Sequence, residues 1–370
     1  MEYGLLGETL GHSFSPQIHR ALADYDYQLY PTPPDAVEEL FRRRAFKGLN
    51  VTIPYKQTVI PLCDEVDPRA AAIGAVNTVV NRDGRLTGYN TDIDGLIYMA
   101  RRAGVELSRK KVVILGSGGT SRTAQAAAQE LGAAEIVTVS RKGADNYENL
   151  SRHKDAQVIV NTTPVGMFPR CGEAPVSLAL FPCLTGVLDV VYNPLRTALL
   201  MEAEQRGLPC SCGLPMLVAQ AKESAGLFTG VSIPDSRTEE VLQELTAQLR
   251  NIVLIGMPGC GKSSVGRVLA GRLGKQFADL DQLVEEEARK PIPRIFSEDG
   301  EEAFRRLESE VIRKIGAVTG HVLSAGGGAV TRRENYAPLH QNGVIVHILR
   351  DLSLLPTAGR PVSQSTDLQE

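Results

Sequence analysis

The stretch "VVILGSGGTSRTAQAAAQELG" at residues 112–132 indicates the fold of this protein. Four apolar residues suited to a buried strand are followed by a glycine-rich turn and a run of good helix formers. Short apolar runs alternate with helical patterns along the rest of the chain, as in parallel sheets with crossover helices. We therefore predict an α/β protein built on parallel strands.

Composition limits the possible functions. The chain has 370 residues, which is enough for two or three domains, and 43% of them are hydrophobic. Forty basic and 43 acidic residues give a net charge of −3. This balance provides no electrostatic footprint for nucleic acid or for an anionic membrane surface.

The N-terminal residues lack the basic and apolar segments of a secretory signal, and no apolar run reaches the length of a membrane span. Six cysteines are scattered, and only Cys210 and Cys212 lie close together. A lone C-x-C is poor evidence for zinc, so reduced thiols are expected. These features favour a cytoplasmic protein that acts on small molecules.

Two boundaries are predicted. A new strand, turn and helix begin at residue 112, which places the start of a second domain near residue 105. Later, the polar stretch 229–240 precedes a helix whose apolar residues share one face, and the strand "NIVLI" at 251–255 follows at once. We expect a first domain at 1–104, against which helices from 213–248 pack, a second at 105–212 and a third at 251–370.

The glycine turn after residue 115 is suited to a dinucleotide. Gly116 and Gly118 let the backbone approach a pyrophosphate, and the helix N-terminus offers free N–H groups. An ordinary βαβ turn is the alternative. The cofactor contacts expected in the turn come from Gly116, Ser117, Gly118, Gly119 and Thr120.

The residues after the next strand indicate which dinucleotide. An NAD site would place an acidic residue there to hold the ribose 2′-hydroxyl. This chain has Ser140, Arg141 and Lys142 instead, and two cations with a hydroxyl suit a 2′-phosphate. We predict an NADP site, with a solvated basic loop as the alternative.

Polar clusters in the first hundred residues suit a small polyhydroxylated acid. Each residue alone could be a surface, turn or capping residue, but the whole set is unlike a folding device. Period two directs Asn50 and Thr52 to one face of a strand. The clusters contain Ser13, Ser15, Asn50, Thr52, Lys56, Asn77, Asn90, Thr91 and Asp92.

A second glycine loop, "GMPGCGKSS" at 256–264, follows the strand "NIVLI" and precedes a helical pattern. It satisfies the P-loop pattern, in which backbone N–H groups face phosphates, Lys262 reaches the β- and γ-phosphates and Ser263 binds Mg²⁺. The predicted ATP contacts here come from Gly256, Gly259, Cys260, Gly261, Lys262, Ser263 and Ser264.

The first 248 residues resemble shikimate dehydrogenase. The resemblance rests on "GHSFSP", "NVTIPYK", "GAVNTV", "GYNTD", "GSGGTSR", "VNTTPVGM", "DVVYNP" and "GLPMLVAQA", in this order. It implies an open α/β substrate domain and a Rossmann NADP domain, which together reduce 3-dehydroshikimate with NADPH.

The resemblance also assigns residues. Lys56 and Asp92 become the catalytic pair, and Gly213 joins the cofactor contacts. Tyr192 is expected near the substrate ring, with a core tyrosine as the alternative. The substrate contacts implied are Ser13, Ser15, Asn50, Thr52, Asn77, Asp92 and Gln220.

Residues 251–370 resemble shikimate kinase, whose fold is a P-loop α/β domain. The resemblance places Asp279 at Mg²⁺ with Ser263 and puts the lid residue Arg360 over ATP. Asp281, counted among the catalytic residues, would bind shikimate together with Arg305 and the turn Gly326, Gly327 and Gly328. That family continues past its lid with a substrate-binding helix, an adenine-contacting loop and a closing strand and helix, so an incomplete, truncated kinase domain is expected.

The two resemblances support each other because the product of the first reaction is the substrate of the second. We expect a bifunctional enzyme of aromatic amino-acid and chorismate biosynthesis that uses NADP(H) and ATP with Mg²⁺. One alternative is an active dehydrogenase with a non-catalytic kinase remnant that binds ATP or shikimate. Another is an NAD-dependent quinate/shikimate dehydrogenase. The expected partners are small molecules, with oligomerisation possible.

Overall fold

The computed structural model describes residues 2–11 and 13–351. The predicted α/β fold is confirmed, since sheets rich in parallel strands alternate with helices along the chain. The strands are β1 Tyr3–Gly7, β2 Tyr27–Pro31, β3 Gly48–Val51, β4 Glu65–Val66, β5 Thr78–Arg82, β6 Arg85–Tyr89, β7 Lys111–Leu115, β8 Glu135–Val139, β9 Val158–Asn161, β10 Gly186–Asp189, β11 Cys210–Ser211, β12 Asn251–Ile255, β13 Gln276–Asp279, β14 His321–Ser324 and β15 Gly343–His347. The helices are α1 Ser15–Leu22, α2 Val37–Arg43, α3 Pro68–Ile73, α4 Asp92–Arg102, α5 Gly119–Glu130, α6 Ala198–Gln205, α7 Leu214–Thr229, α8 Asp235–Leu249, α9 Lys262–Leu273, α10 Leu280–Ala288, α11 Ile292–Asp299, α12 Glu301–Gly316 and α13 Tyr336–His340.

The first sheet has the strand order β2-β1-β3-β5-β6-β4. Strands β1, β2 and β3 are parallel, whereas β5 runs antiparallel to both β3 and β6. The apolar side chains of β3 and β5, among them Leu49, Val51 and Val79, are buried with Phe41 of α2 in one core. This sheet is therefore a mixed α/β sheet and not a fully parallel one.

The second sheet is parallel throughout, with the order β11-β10-β9-β7-β8. Strand β7 lies between β8 and β9, so the chain reverses its direction of winding beside β7. In open parallel sheets, ligands bind outside the carboxyl ends of the strands at such a switch point. The glycine turn at residue 116 follows β7 and occupies this position.

Helix α4 shares its core with the second sheet although it follows the last strand of the first. Ile93, Leu96 and Met99 are buried with Val112 and Ile114 of β7. Helix α7 packs along α4 and also contacts α1 and β5. The N-terminus of α4 is thereby fixed by packing from several elements.

The third sheet is parallel, with the order β13-β14-β12-β15. One residue, Arg250, separates the end of α8 from its first strand. Its core contains Val253 of β12 and Leu323 of β14, together with Val284 of α10 and Ile312 of α12. The P-loop follows β12, which lies between β14 and β15, so this turn is also at a switch point.

The chain forms two compact units. Unit 1 comprises Met1–Val165, Pro175–Tyr192 and Glu202–Glu244, and it contains the first two sheets. Unit 2 comprises Gly166–Ala174, Asn193–Met201 and Leu245–Glu370, and it contains the third sheet. Unit 2 is therefore assembled from three segments of sequence.

The six cysteines, all within the described residues, form no disulfide. Within the described part of the chain, no group of three or more His, Cys, Asp or Glu side chains is arranged to hold a metal. Helices long and apolar enough to cross a bilayer are likewise absent from the residues that the structure describes.

Candidate active sites

Lys56 and Asp92 form the closest charged pair among the proposed site residues of unit 1. The Lys56 Nζ donates to Asp92 Oδ2 over 2.6 Å, with the two side chains 25% and 14% exposed. Asp92 opens α4, where the free N–H groups of a helix N-terminus favour a negative charge. The backbone carbonyl of Lys56 accepts from the N–H of Val76, which holds the lysine beside the first sheet.

Asn77 aligns the carboxylate of Asp92. Its Nδ2 donates to Asp92 Oδ1 over 2.9 Å, and its Oδ1 accepts from the N–H of Thr91 over 2.8 Å. Asn90 accepts from the N–H of Asp92 at 3.1 Å and donates to the carbonyl of Ala75. The polar cluster thus converges on Asp92 from several directions.

Ser13 and Ser15 lie together at the start of α1. The Ser13 Oγ accepts from the backbone N–H of Ser15 at 3.2 Å and donates to the Ser15 Oγ at 3.1 Å. The Phe14 ring is 6.2 Å from the half-buried Tyr192 ring in an edge-on arrangement. Burial raises the pKa of the Tyr192 phenol, so its hydroxyl stays protonated at neutral pH.

The remaining substrate candidates of unit 1 differ in exposure. Asn50 is buried in β3, whereas Thr52 lies just beyond the strand end and is half-buried. Gln220 is half-buried on α7, where its Nε2 donates to the carbonyl of Leu217. The two residues were expected on one face of a strand, but only Asn50 lies in β3, and Thr52 is placed by the turn after it.

Two residues bound to these side chains were not identified from the sequence. The Tyr27 hydroxyl donates to Asn50 Oδ1 over 2.8 Å, and Asn50 Nδ2 donates to Ser224 Oγ over 2.8 Å. Ser224 is a polar residue on the buried face of α7, four residues after Gln220. In the sequence, a polar residue on an otherwise apolar helix face is the signal that could have identified Ser224.

The glycine turn after β7 has the shape of a phosphate site. Gly116 has a φ of +112°, a conformation that favours glycine. A Cβ atom at Gly118 or Gly119 would meet nothing within 4 Å, so space lies above the turn. Helix α5 begins at Gly119, and its N-cap residue Gly118 has no side chain to occupy the free N–H groups. A pyrophosphate therefore fits this turn.

The basic turn after β8 lies on the same edge of the second sheet. The N–H of Gly116 donates to the carbonyl of Val139, which joins the two strand ends. Ser140 is half-buried, while Arg141 and Lys142 are exposed. The other predicted cofactor residues of the region are Ser117, half-buried Thr120 and Gly213, the N-cap residue of α7.

In unit 2, the P-loop backbone curls around its lysine. Gly256, Gly259 and Gly261 all have positive φ angles. The Lys262 Nζ donates to the carbonyls of Gly256 at 2.8 Å and Met257 at 3.0 Å. These bonds hold the Lys262 ammonium against the loop at which the P-loop pattern predicts phosphate binding.

Ser263 and Asp279 meet at the base of the P-loop. The Ser263 Oγ donates to Asp279 Oδ2 over 2.6 Å, and the other carboxylate oxygen caps α10 by accepting from the N–H of Asp281. A hydroxyl and a carboxylate in contact are hard oxygen ligands of the kind that Mg²⁺ binds together with phosphate oxygens and water. This pair fits the predicted metal position.

A cavity of about 660 Å³ unites the phosphate residues with most of the predicted shikimate residues of unit 2. It is open to solvent above the P-loop and has apolar walls from α11 and α12. The predicted residues that line it are Gly259, Gly261, Lys262, Ser263, Ser264, Asp281, Arg305, Gly326, Gly327 and Gly328. Cys260 is buried beside the loop, and Arg360 lies outside the described residues.

Glu308 also lines this cavity and was missed by the sequence reasoning, although Arg305 and Glu308 are spaced as an i,i+3 pair on α12. Arg305 Nη1 donates to Glu308 Oε2 over 2.9 Å, and Glu308 is only 1% exposed. Burial raises the pKa of the Glu308 carboxyl, against the opposing effect of Arg305. Its Oε1 has no hydrogen-bond partner in the described structure and is available to a ligand donor.

Comparison with known proteins finds a family match for each of the two parts of the chain. The model of the shikimate dehydrogenase substrate-binding domain matches residues 5–79, and the shikimate kinase model matches residues 258–366. The shikimate dehydrogenase (NADP(+)) of Clostridium perfringens is 36% identical over 264 residues, which are 66% of this chain and 97% of that protein.

Solved structures agree. A chorismate mutase/shikimate 5-dehydrogenase fusion protein from Clostridium acetobutylicum is 34% identical with a TM-score of 0.63, over 66% of this chain and 96% of that one. Shikimate 5-dehydrogenase from Thermus thermophilus, in complex with NADP(H) and shikimate, is 33% identical with a TM-score of 0.60 and covers 66% and 99%. Over its first two thirds the chain therefore belongs to the shikimate dehydrogenase family, and its C-terminal part matches the shikimate kinase family.

Proposed function

We propose that unit 1 interconverts 3-dehydroshikimate and shikimate with NADP(H). The observation that carries this proposal is the Lys56–Asp92 pair, aligned by Asn77. The paired serines at the start of α1 and the switch-point glycine turn also support it. The names of the relatives supply the substrate and the cofactor. Residues 1–104 would hold the substrate with help from 213–248, and residues 105–212 would hold the cofactor.

Bound NADPH supplies a hydride to the carbonyl carbon, and the protein must supply a proton to the oxygen. Lys56 donates this proton as a general acid, while Asp92 fixes the position of Nζ and offsets its charge. In the reverse direction the neutral amine accepts the proton of the substrate hydroxyl. The other predicted substrate residues of unit 1 orient the ring by bonding its hydroxyls and carboxylate.

The turn residues of the second sheet explain the choice of cofactor. Gly116–Thr120 and the start of α5 would hold the pyrophosphate, and Ser140, Arg141 and Lys142 would pair with the 2′-phosphate. In a quinate/shikimate dehydrogenase that prefers NAD, two exposed cations at this position would add no ion pair with the cofactor, because NAD has no 2′-phosphate.

The test of this function is reduction of NADP⁺ by shikimate. We expect the native chain to be active and Lys56→Ala to lower kcat by about 10²–10⁴-fold, since it removes the general acid–base group. Lys47→Ala is the matched control, because Lys47 is an exposed residue paired with Glu2. Activity of Lys56→Ala close to that of the native chain would refute the assignment of Lys56.

We propose further that unit 2 transfers a phosphoryl group from ATP to shikimate, which makes the chain bifunctional. The family match and the cavity shared by Lys262, Asp281 and Arg305 support this function. ATP with Mg²⁺ supplies the phosphoryl group. Lys262 and the P-loop N–H groups orient its phosphates, and Ser263 and Asp279 would hold the metal.

Within this cavity, Asp281 would bind a shikimate hydroxyl, and Arg305, held by Glu308, would pair with the carboxylate. Release of ADP upon addition of shikimate tests the proposal. We expect turnover that Lys262→Ala abolishes and that Lys314→Ala, at an exposed ion pair with Glu287, leaves unchanged. ATP binding without ADP release would instead identify unit 2 as a non-catalytic binding module.

A further inference from the structure

Three hydroxyl groups meet beneath the proposed dehydrogenase site. They belong to Thr78 of β5, Thr91 just before α4 and Ser224 of α7, and we call them the hydroxyl cluster. The Ser224 Oγ is 2.8 Å from the Thr78 Oγ1 and 2.9 Å from the Thr91 Oγ1. All three residues are at most 2% exposed.

The hydroxyl cluster binds both amides of the proposed site. Asn50 Nδ2 donates to Ser224 Oγ over 2.8 Å and to Thr78 Oγ1 over 3.1 Å. Asn77 Nδ2 donates to Thr91 Oγ1 over 3.0 Å, and Asn77 Oδ1 accepts from Thr78 Oγ1 over 2.9 Å. Because Asn77 also donates to Asp92, the cluster is connected to the catalytic pair.

One proton assignment satisfies the whole network. Ser224 donates to the carbonyl of Gln220 at 3.0 Å and accepts from Asn50 and Thr91. Thr78 donates to Asn77 Oδ1. Each hydroxyl then donates once, and each amide hydrogen has an acceptor. A buried network with every member paired holds its side chains in one orientation.

Ser224 connects this network to a helix that is far away in the sequence. It alone comes from α7, more than 130 residues along the chain from the other two hydroxyls. It fixes the amide of Asn50 so that Oδ1 faces the Tyr27 hydroxyl, and it ties the start of α4, where Asp92 begins the helix, to α7.

We propose that Ser224 is a positioning residue of the dehydrogenase site, which sets the orientation of Asn50 and the placement of Thr91 beside Asp92. The proposal rests on the function proposed for unit 1. Ser224 acts through Asn50 and Thr91, and it needs no contact with the substrate.

The test measures KM for shikimate, KM for NADP⁺ and kcat in Ser224→Ala. Removing the hydroxyl takes one acceptor from Asn50 and one from Thr91, which lets the Asn50 amide and the Thr91 hydroxyl turn toward their longer alternative bonds. We expect the KM for shikimate to rise by about 10-fold. The KM for NADP⁺ should stay unchanged. Thr229→Ala is the control, because Thr229 makes the same hydroxyl-to-carbonyl bond on α7, to Ala225, outside the cluster.

A double-mutant cycle with Asn50→Ala separates positioning from general stability. If Ser224 acts through Asn50, the effect of Ser224→Ala on the KM for shikimate should largely disappear in the Asn50→Ala background. Should Ser224→Ala fail to fold, as judged by circular dichroism, the same cycle with Thr78→Val replaces it. That near-isosteric change removes the other acceptor of Asn50 Nδ2.

Three results would each overturn the proposal. They are equal changes in the KM for shikimate and the KM for NADP⁺, full additivity of Ser224→Ala with Asn50→Ala, and native kinetics in a folded Ser224→Ala variant. Failure of the function proposed for unit 1 would give a different result. In that case the native chain itself would not reduce NADP⁺ with shikimate.

Discussion

At the scale of single residues, His19 shows how burial makes stability depend on pH. Its ring is fully buried, stacks on Tyr27 at 3.9 Å and pairs through Nδ1 with the Tyr25 hydroxyl at 2.6 Å. Burial lowers its pKa to about 3, although a hydrogen bond with Asn50 opposes this shift. The folded protein therefore holds His19 neutral throughout the physiological range.

The sign of the effect follows from proton binding. Below about pH 6.5 the unfolded chain protonates His19 and the folded chain does not, so unfolding becomes easier as the pH falls. We expect His19 to lower the free energy of unfolding by about 2 kcal/mol between about pH 6.5 and about pH 5. Its neighbours Tyr25 and Tyr27 have pKa values raised by burial and do not titrate in this range.

Urea unfolding of the native chain and His19→Gln at both pH values measures this contribution. The difference in unfolding free energy between the two proteins should shrink as the pH falls. A constant difference would show that His19 is not held neutral.

Arg141 and Lys142 are the residues that we propose set the cofactor preference, also at the scale of single residues. Replacing either by alanine should raise the KM for NADP⁺ by about 10-fold or more, because a charge-assisted bond to a phosphate is lost. The KM for NAD⁺ should not change. Arg152→Ala, at an exposed residue of the following turn, serves as the control. Equal effects on both cofactors would contradict 2′-phosphate recognition.

At the scale of elements, the turn between β7 and α5 contains two glycines with different tasks. Gly116 has a positive φ, and a Cβ there would lie 2.7 Å from the Thr162 Oγ1. Gly118 has a negative φ and open space around its Cα. The first glycine is required by the backbone, whereas the second leaves room for a ligand.

The two alanine variants should therefore lose different properties, Gly116→Ala its stability and Gly118→Ala its cofactor binding. Gly116→Ala should lower the free energy of unfolding by about 1–3 kcal/mol through strain at that φ. Gly118→Ala should keep its stability and raise the KM for NADP⁺, because its methyl group occupies the space for the pyrophosphate. Thermal unfolding and cofactor kinetics measure both properties. Matching behaviour of the two variants would contradict this division of roles.

At the scale of the whole molecule, unit 2 depends on residues that are distant in sequence. Asn342 is fully buried, accepts from the N–H of Leu195 at 2.9 Å, and donates to the carbonyls of Gly316 and Ala317. The guanidinium of Arg196 adds bonds to the carbonyls of His340 and Gly343. The segment Asn193–Met201 is therefore part of the structure of unit 2.

Asn342→Ala should lower the free energy of unfolding of unit 2 by about 2–4 kcal/mol, since several buried backbone groups lose their partners. Asn335→Ala, which removes a single buried bond to Ala329, should cost less. Thermal unfolding followed by loss of Mg-ATP binding measures both changes. Equal stability of Asn342→Ala and the native chain would show that the segment does not stabilise unit 2.

Much of this arrangement could be predicted because it is local. The strand at 251–255 has the predicted limits. The helix before it buries its apolar residues, as its one-faced apolar pattern predicts; these are Val241, Leu242, Leu245 and Leu249. Glycine turns after apolar strands, and the basic turn after β8, also follow from neighbours in sequence.

Long-range contacts were not accessible from sequence patterns. The sequence indicated Asn50 but not its contact with Ser224, because a residue 174 positions away carries no local signal. The exposed fraction of Arg305 was equally hidden. Arg305 is only 8% exposed because it lies beside the buried Glu308, to which it donates.

The sequence by itself determined the α/β class, the two glycine turns and the residues that resemble two families, since periodicity and turn chemistry are properties of short segments. The tertiary structure alone decided that Lys56 meets Asp92 at 2.6 Å, that Ser224 binds Asn50 and the hydroxyls of Thr78 and Thr91, and that unit 2 includes residues 193–201. The physical reason is that packing and buried hydrogen bonds join residues far apart along the chain, and only folding brings their partners together.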